Sequence, residues 1–184
     1  MRTFILGIIT TLLVLSLGGL TVATLGLMPT KADATPPRLE RSVAAAALDA
    51  SMERHAPRTS SPIPPTDENL IDGMKVYTMN CSMCHGTLDN QASPLEKSFY
   101  PPVPQLILKP LNDPEGHIYY AVRTGVRYTG MPAWNKALSD QDIWKVTAFL
   151  ARLQTLPPGV RDYWKQSFGT GPPDSRSEKD EHKR

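Results

Sequence analysis

Apolar and polar residues divide this chain into an N-terminal apolar block, a proline-broken middle, and a helical segment built around two cysteines. Phe4 to Met28 runs 25 residues without a charge. As a helix it reaches roughly 37 Å, more than the ~30 Å hydrocarbon core of a bilayer. A secretory signal has a shorter apolar region, about 7–15 residues. The pattern therefore predicts a single N-terminal transmembrane helix in residues 1–30, kept as an anchor. The competing reading is a cleaved signal, since Ala32-Asp33-Ala34 fits a small-residue cleavage site and Gly18-Gly19 interrupts the run. Both readings export the residues that follow.

Residues 31–65 read as a tether. Leu39, Val43, Ala46, Ala47 and Ala50 fall on one side of a helix from about Arg38 to Arg54, with alanine supplying the propensity. The apolar stripe is thin, so this helix is marginal or needs a partner. Pro57, Pro62, Pro64 and Pro65 then predict a stiff, extended spacer. Such a spacer would lift a domain off a membrane and let it move between partners.

Residues 66–156 carry the strongest helical signals. Thr66 caps a helix from about Glu68 to Asn80, with acidic residues in its first turn. Gly73, Tyr77 and Cys81 share one face of it, and Gly73 would admit a closely crossing helix. Asp113-Pro114-Glu115 opens a second helix, with Asp113 as cap, that runs to about Arg123 and stops at Gly125. Ser139-Asp140-Gln141-Asp142 opens a third, in the manner of a capping box. Its Ile143, Val146, Phe149, Leu150 and Leu153 form an apolar face ending near Gln154, the expected partner for Gly73 and Tyr77. Gly86 to Leu111 is a long loop, which compact domains keep mainly for function. Residues 157–184 read as a polar tail, with Tyr163-Trp164 docking on the surface and disorder from Gly169 onward.

Composition narrows the chemistry. The net charge of +2 gives no argument for nucleic acid. Eighteen prolines exclude regular structure from much of the chain. No internal repeat is present, so one site is expected. The chain has only two cysteines, and both lie in Cys81-Ser82-Met83-Cys84-His85.

Cys-x-x-Cys-His is the pattern of covalent c-type haem attachment. Two thiols at that spacing each bond one vinyl group, and His85 lies within reach of the iron as an axial ligand. A redox dithiol would want a βαβ context, which the pattern lacks. A zinc site would want a fourth ligand beyond Cys81, Cys84 and His85. Met131, in Thr129-Gly130-Met131-Pro132-Ala133-Trp134, is the candidate second axial ligand, because a thioether suits haem iron opposite a His. Met131 as core filler, and His55 or His117 as the ligand instead, are the weaker alternatives. A proline-loop carbonyl, Pro101 or Pro102, would accept the Nδ1–H of His85. Arg123 and Arg127 could pair with haem propionates or simply face solvent. Trp134 suits the haem edge or ordinary core burial equally.

Together, Gly73, Tyr77, Cys81-x-x-Cys84-His85, Gly130-Met131-Pro132-Ala133-Trp134 and Leu138-Ser139-Asp140 resemble the class I c-type cytochromes. The likeness is greatest to bacterial monohaem forms related to the cytochrome subunits of terminal oxidases, and it covers about Thr66 to Leu156. It implies an all-α class I cytochrome c fold around one covalently bound haem c. It also implies thioether bonds from Cys81 and Cys84, proximal His85, distal Met131, and attachment of haem outside the cytoplasmic membrane.

The expected function is one-electron transfer between a respiratory donor or dehydrogenase and an oxidase at the outer face of that membrane, without enzymatic activity of its own. A His/Met pair leaves no open iron position for substrate, and Met ligation raises the potential. Residues 66–156 carry eight Lys/Arg against nine Asp/Glu, so charge does not name the partner. The alternative is a haem protein that binds or senses a small gas. Family members with that role place the motif near the end of a four-helix bundle, whereas here about a hundred residues follow it. A peroxidase would want a second haem or a distal polar pair, and one haem motif is present.

Overall fold

A computed structural model describes residues 1–172, which are helical with connecting loops and contain no strand. The chain divides into two units, Met1–Lys31 and Ala32–Arg184. The first is helix α1, Arg2–Thr24. An 18-residue window within its 23 residues has a mean hydropathy of 2.3, and the helix is long and apolar enough to cross a membrane.

The second unit contains α2 (Arg38–His55), α3 (Asp67–Asn80), the one-turn α4 (Ser82–His85), α5 (Glu115–Thr124), a 3-10 turn (Trp134–Lys136), α6 (Asp140–Ala151) and α7 (Pro158–Phe168). Two caps form as their sequences predict. The Thr66 hydroxyl accepts the Asn69 N–H at 3.3 Å. The Ser139 hydroxyl accepts the Asp142 N–H at 3.1 Å and donates to the Asp142 carboxylate at 2.6 Å. Helix α5 starts one step later than its Asp113 cap suggests, because Pro114 is itself extended and takes the N-cap position.

The core is a crossing of α3 on α6, with α5 packed beside α6. Gly73 makes the crossing possible: a Cβ there would lie 2.1 Å from the Lys145 carbonyl oxygen. Tyr77 of α3 then tilts against Phe149 of α6, with ring centroids 5.9 Å apart. At the rim, Lys145 Nζ lies 2.8 Å from Asp72 Oδ2. That bond, ahead of a second one from Lys75, holds the Asp72 carboxyl below its ordinary 3.8.

Two segments differ from expectation. Residues 158–168, assigned to the tail, form helix α7, and its Trp164 is fully buried in the core. Phe149 sits 5.9 Å from that indole, so the third helix offers an aromatic face wide enough for two partners. The tether also folds back on the domain. Met52 is buried, His55 stacks on Tyr120, and the Pro57 carbonyl lies where a Cβ of Gly116 would be. The predicted stripe of Leu39, Val43, Ala46, Ala47 and Ala50 stays exposed, and α2 docks on α5 through its last turn instead. Disorder expected from Gly169 onward does not hold at Thr170 and Gly171, which are bonded to Leu88 and Asn90; the rest of that expectation concerns residues 173–184, which lie outside the described residues.

Two outcomes follow from the crossing. Gly73→Ala must push α3 off the α6 backbone and should cost about 3 kcal/mol, at the upper end for overpacking; thermal unfolding followed by circular dichroism measures it. The pair with Lys145 stabilises the fold above the ordinary carboxylate value of 3.8 and is lost as pH falls through the lower folded value of Asp72. Asp72→Asn should therefore reduce the difference in melting temperature between pH 6 and pH 3, chiefly by lowering the value at pH 6.

Candidate haem-attachment site

Helix α4 is a single turn, and a helix that short cannot satisfy its own last carbonyls. Those of Met83, Cys84 and His85 find donors elsewhere. The Met83 carbonyl accepts the Ser93 hydroxyl at 2.5 Å, and the Cys84 carbonyl accepts Gln105 Nε2 at 3.1 Å. The His85 carbonyl accepts the Leu106 N–H at 3.0 Å. The Tyr77 hydroxyl is shared between the His85 carbonyl at 3.0 Å and the Gly86 carbonyl at 2.7 Å. Burial raises the phenol of Tyr77 well above its ordinary value, so it remains a donor.

The imidazole is held by the same loop. His85 Nδ1 lies 2.9 Å from the Pro104 carbonyl oxygen, which fixes Nδ1 as the protonated nitrogen and leaves the lone pair on Nε2. Burial lowers the ring's affinity for a second proton, against the opposing pull of that carbonyl. A neutral ring oriented by a carbonyl is the form a metal ligand requires. The acceptor is Pro104, which corrects the expectation of Pro101 or Pro102. Gln105 sets this register: its Oε1 accepts the Ser93 N–H at 2.7 Å while its Nε2 donates to Cys84 and, at 3.1 Å, to the Val103 carbonyl.

Both cysteines are free thiols, as attachment to vinyl groups requires. Cys81 is buried, and its thiol is pushed up to about 12 by burial and then by the neighbouring Cys84. A redox dithiol works through a lowered thiol, so this environment opposes that reading. Among the described residues no three His, Cys, Asp or Glu side chains gather as a set that could hold a metal ion.

Met131 is half-buried against the core in a loop closed on itself. Its N–H donates to the Thr129 hydroxyl at 3.0 Å, and its carbonyl accepts the Val126 N–H at 3.2 Å. The loop folds tightly over Gly125, whose φ is +68° and whose Cβ would meet the Met131 carbonyl oxygen at 2.7 Å. Phe99 lies against Gly130, so the loop after the haem motif touches the methionine loop. Trp134, half-buried, packs against the core beside it.

The alternative ligands sit elsewhere. His55 Nδ1 lies 2.9 Å from the Ser51 carbonyl, and His117 Nε2 lies 3.7 Å from Glu53, both where α2 meets α5. Arg123 faces Asp140 at 3.4 Å, while Arg127 is exposed. Sequence reasoning did not find Ser93 and Gln105, both buried polar residues. The one signal was Gln105 itself, a lone amide leading the apolar run Leu106-Ile107-Leu108.

The donor set thus fits a haem. It offers paired free thiols, a neutral imidazole with Nε2 available, and a thioether on a constrained loop. Residues 68–150 match the family model described as cytochrome c oxidase, cbb3-type, subunit III. No curated protein matches the chain. A chain of the Kuenenia stuttgartiensis reducing HAO-like protein complex is similar at 25% identity with a TM-score of 0.39. That likeness covers 51% of this chain and 48% of the other, so the match spans about half of each.

Replacing Gln105 with Leu leaves the buried Ser93 N–H and the Cys84 carbonyl without their partners. The expected loss is about 2 kcal/mol, read from denaturant unfolding. Faster amide exchange at Ser93 should accompany it.

Proposed function

We propose, from the premise that this chain is a class I c-type cytochrome with covalently bound haem c, that it is a His/Met-ligated one-electron carrier. In this reading Cys81 and Cys84 form the thioether bonds, His85 is the proximal ligand and Met131 the distal one. The observation that carries it is the bond from His85 Nδ1 to the Pro104 carbonyl, which presents Nε2 as a ligand. The haem supplies the electron-accepting centre when bound, and the protein supplies ligands, burial and orientation.

The residues of the chain do the rest. The Pro104 carbonyl raises the basicity of the imidazole and holds its plane. Pro132 restricts the backbone beside Met131, and Gly125, at φ +68°, lets the loop pack tightly beneath it, so the thioether is held in place in both oxidation states. Little rearrangement then accompanies gain or loss of an electron, which favours fast transfer. The donor is of quinol or dehydrogenase level and the acceptor is an oxidase, in keeping with the raised potential of Met ligation. Helix α1 serves as an uncleaved anchor that keeps the haem domain at the outer face of the cytoplasmic membrane. Its 23-residue length, largely apolar, supports this over a short signal region.

Met131→Ala should abolish the near-infrared sulfur-to-iron band and lower the midpoint potential while haem stays covalently bound. Survival of the band in that variant, with its loss on changing His55 or His117, would overturn the assignment. The unaltered ferrous protein should leave carbon monoxide unbound at neutral pH and be oxidised by membranes with terminal oxidase activity. Tight carbon monoxide binding with no electron transfer would promote the gas-binding alternative. Intact mass of the purified protein tests the anchor: a chain beginning near Thr35 would show a cleaved signal instead.

A further inference from the structure

Helix α7 lies beyond the family-matched segment, yet it is bonded to the loop that follows the haem motif. Trp164 Nε1–H donates to the Leu88 carbonyl at 2.7 Å, and the Thr170 hydroxyl donates to the same oxygen at 2.8 Å. In return, Asn90 Nδ2 donates to the Gly171 carbonyl at 3.1 Å. The two segments are therefore tied in both directions across 76 to 82 residues of sequence.

The tied loop is short and internally closed. The Thr87 N–H donates to the Gln91 carbonyl at 2.9 Å and the Asn90 N–H to the Thr87 carbonyl at 3.1 Å. Asn90 sits at φ +61°, and Gly86 at φ +93° has the Gln91 carbonyl 3.1 Å from where its Cβ would be. A shift at Leu88 is passed to Gly86 and the His85 carbonyl, since the turn has no slack. The opposite side is reached as well: Trp164 packs on Phe149, and Phe149 on Tyr77, whose hydroxyl holds the His85 and Gly86 carbonyls.

A buried indole needs an acceptor somewhere. Here the acceptor is three residues after His85, and a second side chain is spent on the same oxygen. We infer that Trp164, together with Thr170, is a positioning residue for the proximal haem ligand, acting through the Leu88 carbonyl. This rests on His85 as that ligand. The two donors also direct the positive ends of their dipoles at the loop that carries it. Removing them leaves the carbonyl more electron-rich and favours the more positive, oxidised iron.

The test uses the full haem-loaded chain and three variants. Trp164→Phe keeps the aromatic bulk and deletes the N–H. Thr170→Val deletes the second donor at a half-buried site. Val160→Ala opens the core in the same helix and touches neither bond, since Val160 is fully buried and apolar. Midpoint potential, hyperfine-shifted resonances of the His85 ring in the ferric protein, and melting temperature are measured for each. Trp164→Phe and Thr170→Val should both lower the potential and move the His85 resonances. Val160→Ala should lower only the melting temperature. An unchanged or raised potential, or unmoved His85 resonances, in the two donor variants would overturn the inference. So would the same shift in Val160→Ala. If Trp164→Phe does not fold, Thr170→Val decides alone. Failure of the His85 assignment itself is read separately, from the absence of hyperfine-shifted His85 ring resonances in the unaltered ferric chain.

Discussion

The hydrogen bond from His85 Nδ1 to the Pro104 carbonyl is the constraint on which the rest of the site depends. An imidazole free to rotate, or protonated on both nitrogens, would be a poor ligand. One bond of 2.9 Å answers both problems, but only if the loop that supplies the carbonyl is itself fixed. That loop has no regular structure to fix it. Its rigidity comes from the unsatisfied carbonyls of a helix one turn long. Met83, Cys84 and His85 draw donors from Ser93, Gln105 and Leu106, so the shortness of α4 is what recruits the loop. Each such bond is worth only about 1 kcal/mol net, yet leaving one unmade inside the core costs more. The asymmetry favours a single register.

The α3–α6 crossing gives this arrangement its floor. With no Cβ on Gly73 the two backbones approach closely enough for Tyr77 to reach past Phe149 to the motif. A bulkier residue at 73 would lift Tyr77 away from the His85 and Gly86 carbonyls. The helix crossing and the placing of the ligand are thus one problem.

Much of this was legible in the sequence because it is local. The Cys-x-x-Cys-His spacing, the Thr66 and Ser139 caps, and the Gly73–Tyr77–Cys81 face each lie within a few turns of chain, and each has its expected counterpart in the helices. The choice of Pro104 over Pro101 or Pro102 was not legible. It is set by Gln105, whose amide joins residues 12 and 21 positions away. No periodicity encodes such a bond. Trp164 misled for a related reason. In a short segment after Pro157-Pro158, flanked by charge, one indole looks like surface decoration, and only the aromatic face of α6 makes it core. The α2 tether misled because alanine gives a helix little apolar area, so its docking depends on a few points such as Met52 and Pro57 rather than on a stripe.

Both segments outside residues 68–150 are anchored to the domain, but by different physics. The α2 arm is held mainly by shape: Pro57 fills the space over Gly116, Met52 is buried, and His55 stacks on Tyr120. Its polar contacts, among them Ser61 N–H to Glu115 at 3.3 Å, Tyr100 to Glu40 at 2.6 Å and His117 to Glu53 at 3.7 Å, each involve an exposed or part-buried group where water competes. Helix α7 is held through a fully buried indole whose N–H meets the Leu88 carbonyl away from water, and the half-buried Thr170 hydroxyl just beyond the helix adds a second bond to the same oxygen. Opening the arm therefore exposes little apolar surface and disturbs no ligand-bearing backbone. Opening α7 uncovers Trp164 and releases Leu88 together. The arm is joined to α5 without touching the ligand-bearing turn, whereas α7 can leave only by loosening the turn that carries His85.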